Sequence, residues 1–233
     1  MKSDSVSYTG LDILDALQSA TNYNALLKDL VVSNARGARR LLDFGAGIGT
    51  FSRLVRSEGF EVTCVEADEC LASRLQNAGF ETYTELNGIE NESMDFVFSL
   101  NVFEHITDDS RAVAEVIKKM APGGKLFIYV PAFDCLWTNL DSKVKHQRRY
   151  TKDTLGNLVS SGGLKLISIR YADSLGFVAA LLFKLLGKDA DKISSTSIRF
   201  YDRFVVPISR ELDSFCHRLF GKNVWVVCQK ASE

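Results

Sequence analysis

The cysteines of this sequence are few, and they are not spaced for a shared site. Five cysteines among 233 residues are odd in number and lack C-x-x-C spacing. Such a set indicates neither a disulfide framework nor a zinc site. We therefore expect reduced cysteines, a cytoplasmic protein and no metal ion.

An excess of charge of one sign is also missing. The formal net charge is -1 at pH 7, so the basic footprint of a nucleic-acid-binding protein is not expected. The polar segment from Met1 to Tyr8 predicts no signal peptide. The longest apolar stretch, Leu175 to Leu186, contains Lys184 and is too short to span a bilayer of about 30 Å.

The composition is typical of one globular domain. Of the 233 residues, 46% are hydrophobic and 24% are charged, which allows a sizeable core. We expect a single domain over residues 1–233. Its predicted parts are a helical cap (1–38), a core (39–171), a helical insertion (172–222) and a last strand (223–233).

Strand and helix patterns alternate along the predicted core. The right-handed crossover rule converts this order into a doubly wound, mostly parallel α/β sheet, with its ligand at the carboxyl ends of the strands. Four segments of strand length carry the pattern, and the third of them is a near-continuous apolar run: Glu61 to Val65, Phe80 to Thr84, Met94 to Leu100 and Lys125 to Val130.

The most informative stretch is residues 39–50, which read R-R-L-L-D-F-G-A-G-I-G-T. A short apolar run ends at Asp43 and leads into glycines on alternate positions, and a helix-forming segment follows from Thr50. Glycines are needed where the chain takes positive φ or where a ligand approaches the backbone closely. The pattern predicts a strand that enters a nucleotide-binding turn.

Two details indicate which nucleotide this turn binds. The dinucleotide fingerprint G-x-G-x-x-G/A requires glycine or alanine where Thr50 stands. The carboxylate of Asp43 would repel a pyrophosphate but attract a ligand with an ammonium and a sulfonium group. The stretch resembles the first motif of the class I S-adenosylmethionine-dependent methyltransferases. The resemblance implies their Rossmann-like sheet, with an antiparallel last strand placed here at Val224 to Gln229.

A second acid stands at the distance expected for a ribose contact. Glu66 ends the second strand about 20 residues beyond the glycine turn, where a carboxylate accepts hydrogen bonds from both ribose hydroxyls. The family resemblance implies further contacts at the strand ends and in the cap. The expected cofactor-binding residues are Asp43, Gly45, Ala46, Gly47, Glu66, Ala67, Leu86, Asn87, Leu100, Asn101 and Tyr23.

The N-terminal segment has leucines at helical spacing, with a break near residues 21–24. It resembles the helical cap that many small-molecule methyltransferases lay over the cofactor. In that arrangement Tyr23 would meet the methionine end of the cofactor. A plain packing role for this aromatic side chain is the alternative.

The acceptor side is predicted from the loop after the fifth strand. This loop carries Trp137 and leads to H-Q-R-R-Y-T at residues 146–151. Side chains that suit binding, on a loop at this edge, indicate an acceptor site. The alternative is a solvated basic run before a helix that Thr151 caps. The block also resembles a bacterial methyltransferase subgroup with His-x-Arg-Arg-Tyr-Thr at this place. The expected substrate-binding residues are Trp137, Arg148, Arg149 and Tyr150.

Methyl transfer to oxygen or carbon usually requires removal of a proton from the acceptor. His146 is the first candidate for the general base, because imidazole titrates near neutrality. His105 is the second candidate, since the Glu-His pair after the fourth strand more often anchors the turn in this family. Arg148 and Arg149 would hold an anionic group of the acceptor.

The insertion at residues 172–222 combines an apolar helix, a polar link and an amphipathic helix bent at Pro207. Its apolar surface requires a partner, for which the domain itself, a second subunit in a homodimer, a lipidic acceptor and a membrane surface are the candidates. Basic residues along the insertion keep a membrane-surface role open. They are Lys184, Lys188, Lys192, Arg199 and Arg203.

The favoured function is S-adenosylmethionine-dependent methyl transfer to a small-molecule or lipid-linked acceptor, at oxygen. A cofactor-binding regulator or subunit without catalysis is the alternative. A nicotinamide oxidoreductase is disfavoured by Thr50 and Asp43, and the balanced charge disfavours nucleic-acid methylation.

Overall fold

A computed structural model describes residues 18–186 and 195–232 of the protein, which are organised around a seven-stranded sheet. The strands are β1 (Arg40–Phe44), β2 (Glu61–Val65), β3 (Glu81–Tyr83), β4 (Met94–Leu100), β5 (Met120–Pro131), β6 (Lys165–Ala172) and β7 (Asn223–Gln229).

Helices connect and cover these strands. The α-helices are α1 (Thr21–Asn34), α2 (Thr50–Arg56), α3 (Glu69–Asn77), α4 (Asp109–Lys119), α5 (Asn139–Lys143), α6 (Lys152–Ser161), α7 (Ser174–Leu185), α8 (Ser195–Phe200) and α9 (Val206–Cys216). Short 3-10 helices lie at Leu86–Gly88, Phe103–His105 and Asp134–Leu136, and a π-helix lies at Tyr201–Val205.

Two sets of predicted residues lie outside the described part of the chain. They are Leu11, Leu14 and Leu17 of the cap and Lys188 and Lys192 of the insertion. The described cap consists mainly of α1, and the described insertion consists of α7 to α9 with the π-helix.

The strand order across the sheet is β3-β2-β1-β4-β5-β7-β6. Neighbours from β3 to β5 pair in parallel, whereas β7 runs antiparallel to both β5 and β6. This confirms the predicted Rossmann-like methyltransferase sheet with an antiparallel last strand. Because parallel strands share one direction, the turns that follow β1, β2, β4 and β5 all lie at the same edge.

The central strands are buried on both faces. Val97 of β4 packs with Val113 and Val116 of α4, whereas Phe96 and Phe98 pack on the opposite side in the cluster that contains α1. Each of these side chains is at most 1% exposed. The apolar run over β4 therefore lies between two layers of helix, as its composition predicts.

Strand β5 begins earlier than the sequence predicts. The sequence predicts a strand that starts at Lys125, after a turn at residues 122–124, but β5 already begins at Met120. Met120 pairs with Met94 across an irregularity in register, and the Gly123 N–H donates to the Ala231 carbonyl (3.1 Å). These contacts keep residues 122–124 within the sheet.

The helical insertion differs from the prediction in the position of its irregularity. The π-helix precedes Pro207, and Pro207 itself lies in the first turn of α9. Proline is tolerated there because the first N–H groups of a helix have no intrahelical acceptor. The irregularity therefore belongs to the π-helix and not to the proline. Within residues 18–186 and 195–232, no helix is long and apolar enough to cross a membrane.

The start of α1 is capped from the opposite end of the chain. Its own N-cap residue, Ala20, makes no side-chain cap. The buried carboxylate of Asp202, in the π-helix, accepts hydrogen bonds from the N–H groups of Asn22 (3.1 Å) and Tyr23 (2.8 Å). A carboxylate at this place satisfies unpaired N–H groups and interacts favourably with the helix dipole. Asp202 therefore ties the insertion to the cap.

We expect the Asp202→Ala variant to be destabilised by about 1 to 3 kcal/mol, because two N–H groups in the first turn of α1 lose their acceptor. Urea denaturation monitored by circular dichroism measures this free energy of unfolding. Glu211→Ala removes an exposed acid from α9 and serves as the control. Equal stability of the two variants would show that the Asp202 cap contributes nothing.

Candidate active site

The glycine turn takes the backbone conformation for which glycine is needed. Gly45, Gly47 and Gly49 have φ values of 85°, 56° and 78°. At Gly45 the requirement is twofold, since a Cβ atom there would collide with the side chain of Val102. The turn after β1 thus lies directly against the turn after β4.

The same turn is held on the end of β2. The N–H groups of Gly45 and Ala46 donate to the Val65 carbonyl (2.9 and 3.0 Å). The Gly47 N–H donates to Glu66 Oε2 (2.6 Å), and the Asp68 N–H donates to the other carboxylate oxygen (2.9 Å). Each oxygen has a second lone pair, so Glu66 is able to accept ribose hydroxyls as well.

Asp43 lies beneath the turn. Its side chain is 3% exposed and accepts a hydrogen bond from the Ser52 hydroxyl (2.6 Å). Burial raises the pKa of Asp43 to about 7, with the Ser52 bond acting in the opposite direction and the charge of Glu66 adding to the increase. A nearby cation would favour the ionised form. Its contact with the cofactor stays a prediction, since the partner within the structure is Ser52.

The expected methionine end lies between the turn after β4 and the cap. Leu100 is buried, and Asn101 takes a φ of 56° with its N–H bonded to the Tyr129 carbonyl (2.8 Å). Burial raises the pKa of Tyr23 to about 12, partly opposed by hydrogen bonding with Asn101. Tyr23 therefore reaches the turn after β4 from the cap. Its contact with the methionine end of the cofactor stays a prediction.

The expected adenine contacts lie at the ends of β2 and β3. Ala67 is exposed after β2, and Leu86 is partly buried in the 3-10 helix after β3. Asn87 is exposed and its amide donates to Glu85 (3.3 Å). The positions fit the predicted edge, and adenine binding by these residues stays a prediction.

Asp141 is the central residue of the acceptor side. It is 2% exposed and accepts hydrogen bonds from Arg149 Nε (2.9 Å) and from the Thr138 N–H (2.8 Å). Its Oδ1 also lies 2.8 Å from His146 Nδ1. Burial alone would raise the pKa of Asp141, but the bonds with His146 and Arg149 outweigh burial and hold it well below its usual value.

Asp141 is not among the site residues that the sequence predicts. A signal for its position was present, because T-x-x-D from Thr138 to Asp141 is the spacing of a capping box, which the structure contains at the start of α5. The spacing predicts the helix start. The pairing with His146 and Arg149 depends on how the following loop folds back.

His146 and His105 are brought together. Their ring centroids are 4.6 Å apart in an edge-to-face arrangement, and His146 Nε2 lies 4.0 Å from Oε1 of Glu104. Burial raises the pKa of Glu104 to about 8. Burial and the neighbouring His146 lower the pKa of His105 to about 4. Both predicted catalytic residues therefore lie in one weakly hydrated cluster at the edge where the cofactor is expected.

The structure does not support the predicted role of Tyr150 in substrate binding. Its side chain is 3% exposed, belongs to the core, and donates to Asp109 Oδ2 (2.8 Å). Arg149 is 9% exposed, and its guanidinium faces Asp141 and the Ala132 carbonyl instead of an anionic ligand. The alternative of a solvated basic run holds in part: Thr151 caps the following helix as expected, whereas Arg149 points inward.

Trp137 and Arg148 are more accessible. The Trp137 indole N–H donates to the Ser142 hydroxyl (3.2 Å), with its ring 6.5 Å from that of His146. Arg148 pairs with Asp109 (2.6 Å) and is 31% exposed. Substrate contacts by these two residues stay predictions.

Comparison with known families decides the identity of the fold. A family model described as a methyltransferase domain matches residues 15–169, which include the glycine turn and the acceptor cluster. The chain belongs to this methyltransferase family. S-adenosylmethionine is the cofactor of the methyltransferase. Its binding at the glycine turn and Glu66 stays a prediction.

Solved structures agree with the fold. The methyltransferase superposes on an S-adenosylmethionine-dependent methyltransferase from Archaeoglobus fulgidus with a TM-score of 0.60 and 20% identity, over 89% of this chain and 94% of that chain. At this identity the likeness shows the fold alone.

The chain matches only part of the length of its curated relatives. The methyltransferase is 28% identical over 162 residues to malonyl-[acyl-carrier protein] O-methyltransferase of Enterobacter lignolyticus, covering 63% of this chain and 64% of that protein. It is 27% identical over 186 residues to an uncharacterized protein in a transposon of Streptomyces fradiae, covering 75% and 52%. The matches span less than two thirds of the length of either relative.

We expect Glu66→Ala to weaken S-adenosylmethionine binding at least tenfold, because two charge-assisted ribose hydrogen bonds of about 1.5 to 3 kcal/mol each are lost. Isothermal titration with S-adenosylmethionine measures the change, with NAD as the comparison ligand. Glu61→Ala, an exposed acid at the other end of β2, is the matched control. Unchanged affinity in the Glu66 variant would place the ribose elsewhere.

Proposed function

We propose that this methyltransferase transfers the methyl group of S-adenosylmethionine to an oxygen atom of a small-molecule or lipid-linked acceptor. The observation that carries the proposal is the pairing of His146 with Asp141 at the carboxyl edge of the sheet. The pair lies beyond β5, two strands from the glycine turn in sheet order. This position supports a contact with the acceptor over one with the adenosine half of the cofactor.

The pairing suits His146 to accept a proton. An imidazole whose Nδ1–H donates to Asp141 leaves the lone pair of Nε2 free to receive the acceptor proton. The carboxylate then stabilises the imidazolium ion that forms. Deprotonation makes the acceptor oxygen nucleophilic, and in-line attack on the methyl carbon follows when the groups are aligned in a dry site.

Arg149 is a positioning residue in this proposal. Its bidentate contact with Asp141 (2.9 and 3.0 Å) fixes the carboxylate that orients His146. Arg148 and Trp137 are the remaining candidates for direct acceptor contact, since each keeps part of its side chain accessible. His105 is the second candidate base.

Two observations bear on the acceptor class. The malonyl-[acyl-carrier protein] relative is an O-methyltransferase, which supports oxygen as the target. The insertion presents an exposed apolar stripe at helical spacing, which supports a lipid-linked acceptor. The stripe consists of Phe200, Phe204, Ile208, Leu212, Phe215 and Leu219, which are 38% to 81% exposed.

The stripe has the composition of an interfacial helix. Arg203 and Arg210 of the same segment are exposed, and Arg203 lies against the ring of Phe204. Apolar side chains on one face with arginines beside them favour an anionic membrane surface. We propose that the stripe meets such a surface, with a homodimer through the same face as the competing arrangement.

We expect the protein to float with vesicles of phosphatidylcholine and phosphatidylglycerol. Phe215→Glu should abolish flotation, because the charge replaces the most exposed side chain of the stripe, which is 81% exposed. Ser214→Glu places the same charge at the neighbouring exposed position and should still float. Light scattering after gel filtration tests the dimer. A dimer that Phe215→Glu dissociates, without vesicle binding, would replace the membrane proposal.

We expect His146→Ala to lower methyl transfer by roughly a hundredfold and to leave cofactor affinity within a few-fold. Transfer is measured as label from methyl-tritiated S-adenosylmethionine in the lipid and small-molecule fractions of a bacterial extract. His217→Ala is the matched control, since that ring bonds to the Asp213 carbonyl of its own segment (2.8 Å). Full turnover by the His146 variant excludes it as the base.

The alternative function, a cofactor-binding regulator or subunit without catalysis, is favoured by a different outcome of the same assay. Tight cofactor binding with no labelled product in any fraction would support it.

We also propose that the chain forms one methyltransferase domain and that the protein is cytoplasmic. The five free cysteines are consistent with a reducing compartment. Membership of the bacterial subgroup with His-x-Arg-Arg-Tyr-Thr is proposed on residues 146–151 alone.

A further inference from the structure

Three potential metal ligands from two separate segments converge on the acceptor side. Glu104 and His105 follow β4, and His146 follows α5. One ligand atom of each side chain lies within 4.8 Å of the others, and His146 Nε2 is 4.0 Å from Glu104 Oε1. Metal–ligand bonds of about 2.1 Å span ligand pairs up to about 4.2 Å apart. Small side-chain rotations would therefore complete a site.

Glu104 is the group that points to a ligand. Its side chain is 1% exposed, and neither carboxylate oxygen has a hydrogen-bond partner within the described residues. Buried polar groups are nearly always hydrogen bonded, and an exception requires an explanation such as an ion. The carboxylate lies beside His146 Nε2 and the His105 ring, so a cation there would meet three donors at once.

The two imidazoles are already oriented by other groups. His146 Nδ1 is paired with Asp141 (2.8 Å), which leaves Nε2 on the side of Glu104. The His105 ring is hydrogen bonded to the backbone of Val144. A metal-binding histidine typically donates its second ring nitrogen to a carboxylate or a backbone carbonyl, which fixes its tautomer and direction.

We propose that Glu104, His105 and His146 bind a divalent transition-metal ion beside the methyl acceptor. Two imidazoles and one carboxylate favour Zn²⁺, Co²⁺, Fe²⁺ or Mn²⁺ over Mg²⁺, which prefers oxygen ligands. Three protein ligands leave a coordination position for an acceptor oxygen. This differs from the expectation of no metal ion, which rests on the cysteine pattern and does not consider a site without cysteine.

The use of the ion in catalysis rests on the proposed function, whereas metal binding does not. A hydroxyl bound to the ion would have a lowered pKa and would release its proton to water before the methyl transfer. The oxygen then forms a bond to the methyl carbon while the carbon–sulfur bond breaks and its electron pair returns to sulfur. With the ion bound, His146 is a ligand; without it, His146 is the base proposed above.

Titration with Co²⁺ tests the site by visible absorption, on protein purified without a polyhistidine tag and stripped with a chelator. We expect saturation at one equivalent. Glu104→Gln, His105→Ala and His146→Ala should each weaken binding at least tenfold, because each removes a ligand. His217→Ala, which changes the third histidine of the sequence, should bind as the unchanged protein does.

Equal Co²⁺ affinity in the three ligand variants, or no saturable binding below millimolar Co²⁺, overturns the proposal. Melting temperature and S-adenosylmethionine affinity verify that each variant is folded. If Glu104→Gln does not fold, the two histidine variants decide the question. The titration uses neither acceptor nor turnover, so a failure of methyl transfer leaves its result intact.

Discussion

The parallel pairing of β1 with β2 and β4 is the constraint on which the rest of the molecule depends. It places the glycine turn, Glu66 and the turn after β4 at one edge, since each follows the carboxyl end of its strand. The turns then contact one another directly: Gly47 bonds to Glu66, and Gly45 leaves room for Val102. The predicted cofactor site is therefore formed by the sheet order, from residues that lie far apart in the chain.

Four carboxylates at this edge differ in how they are satisfied. Asp141 is paired with Arg149 and His146, and its pKa is lowered. Glu66 accepts two backbone N–H groups and remains partly accessible. Asp43 and Glu104 are buried with few or no partners, and burial raises their pKa values to about 7 and about 8. Folding has already removed these two groups from water, so a cation beside either would gain attraction at little further desolvation cost.

The insertion is coupled to the cap through Asp202, whose carboxylate caps α1 across a separation of 180 residues from Asn22. The next residue of α1, Tyr23, reaches toward Asn101 at the end of β4. The same insertion carries the exposed apolar stripe on its outer face. Helix α1 therefore links the segment that carries the stripe to the residues that are expected to line the methionine end of the cofactor.

Much of the fold was predictable because it depends on local patterns. Strand patterns predicted the sheet, alternate glycines predicted the turn, and the acid at Glu66 supported the class of cofactor. The sequence also identified His105 and His146 as candidate general bases. It did not determine their meeting beside Glu104, the pairing of Arg149 with Asp141, or the burial of Tyr150. Those contacts join loops whose paths are set by packing, and the direction of a side chain within a loop has no periodic signature. Tertiary structure alone decided them, because a buried charge must find whichever partner the folded chain brings within hydrogen-bonding distance.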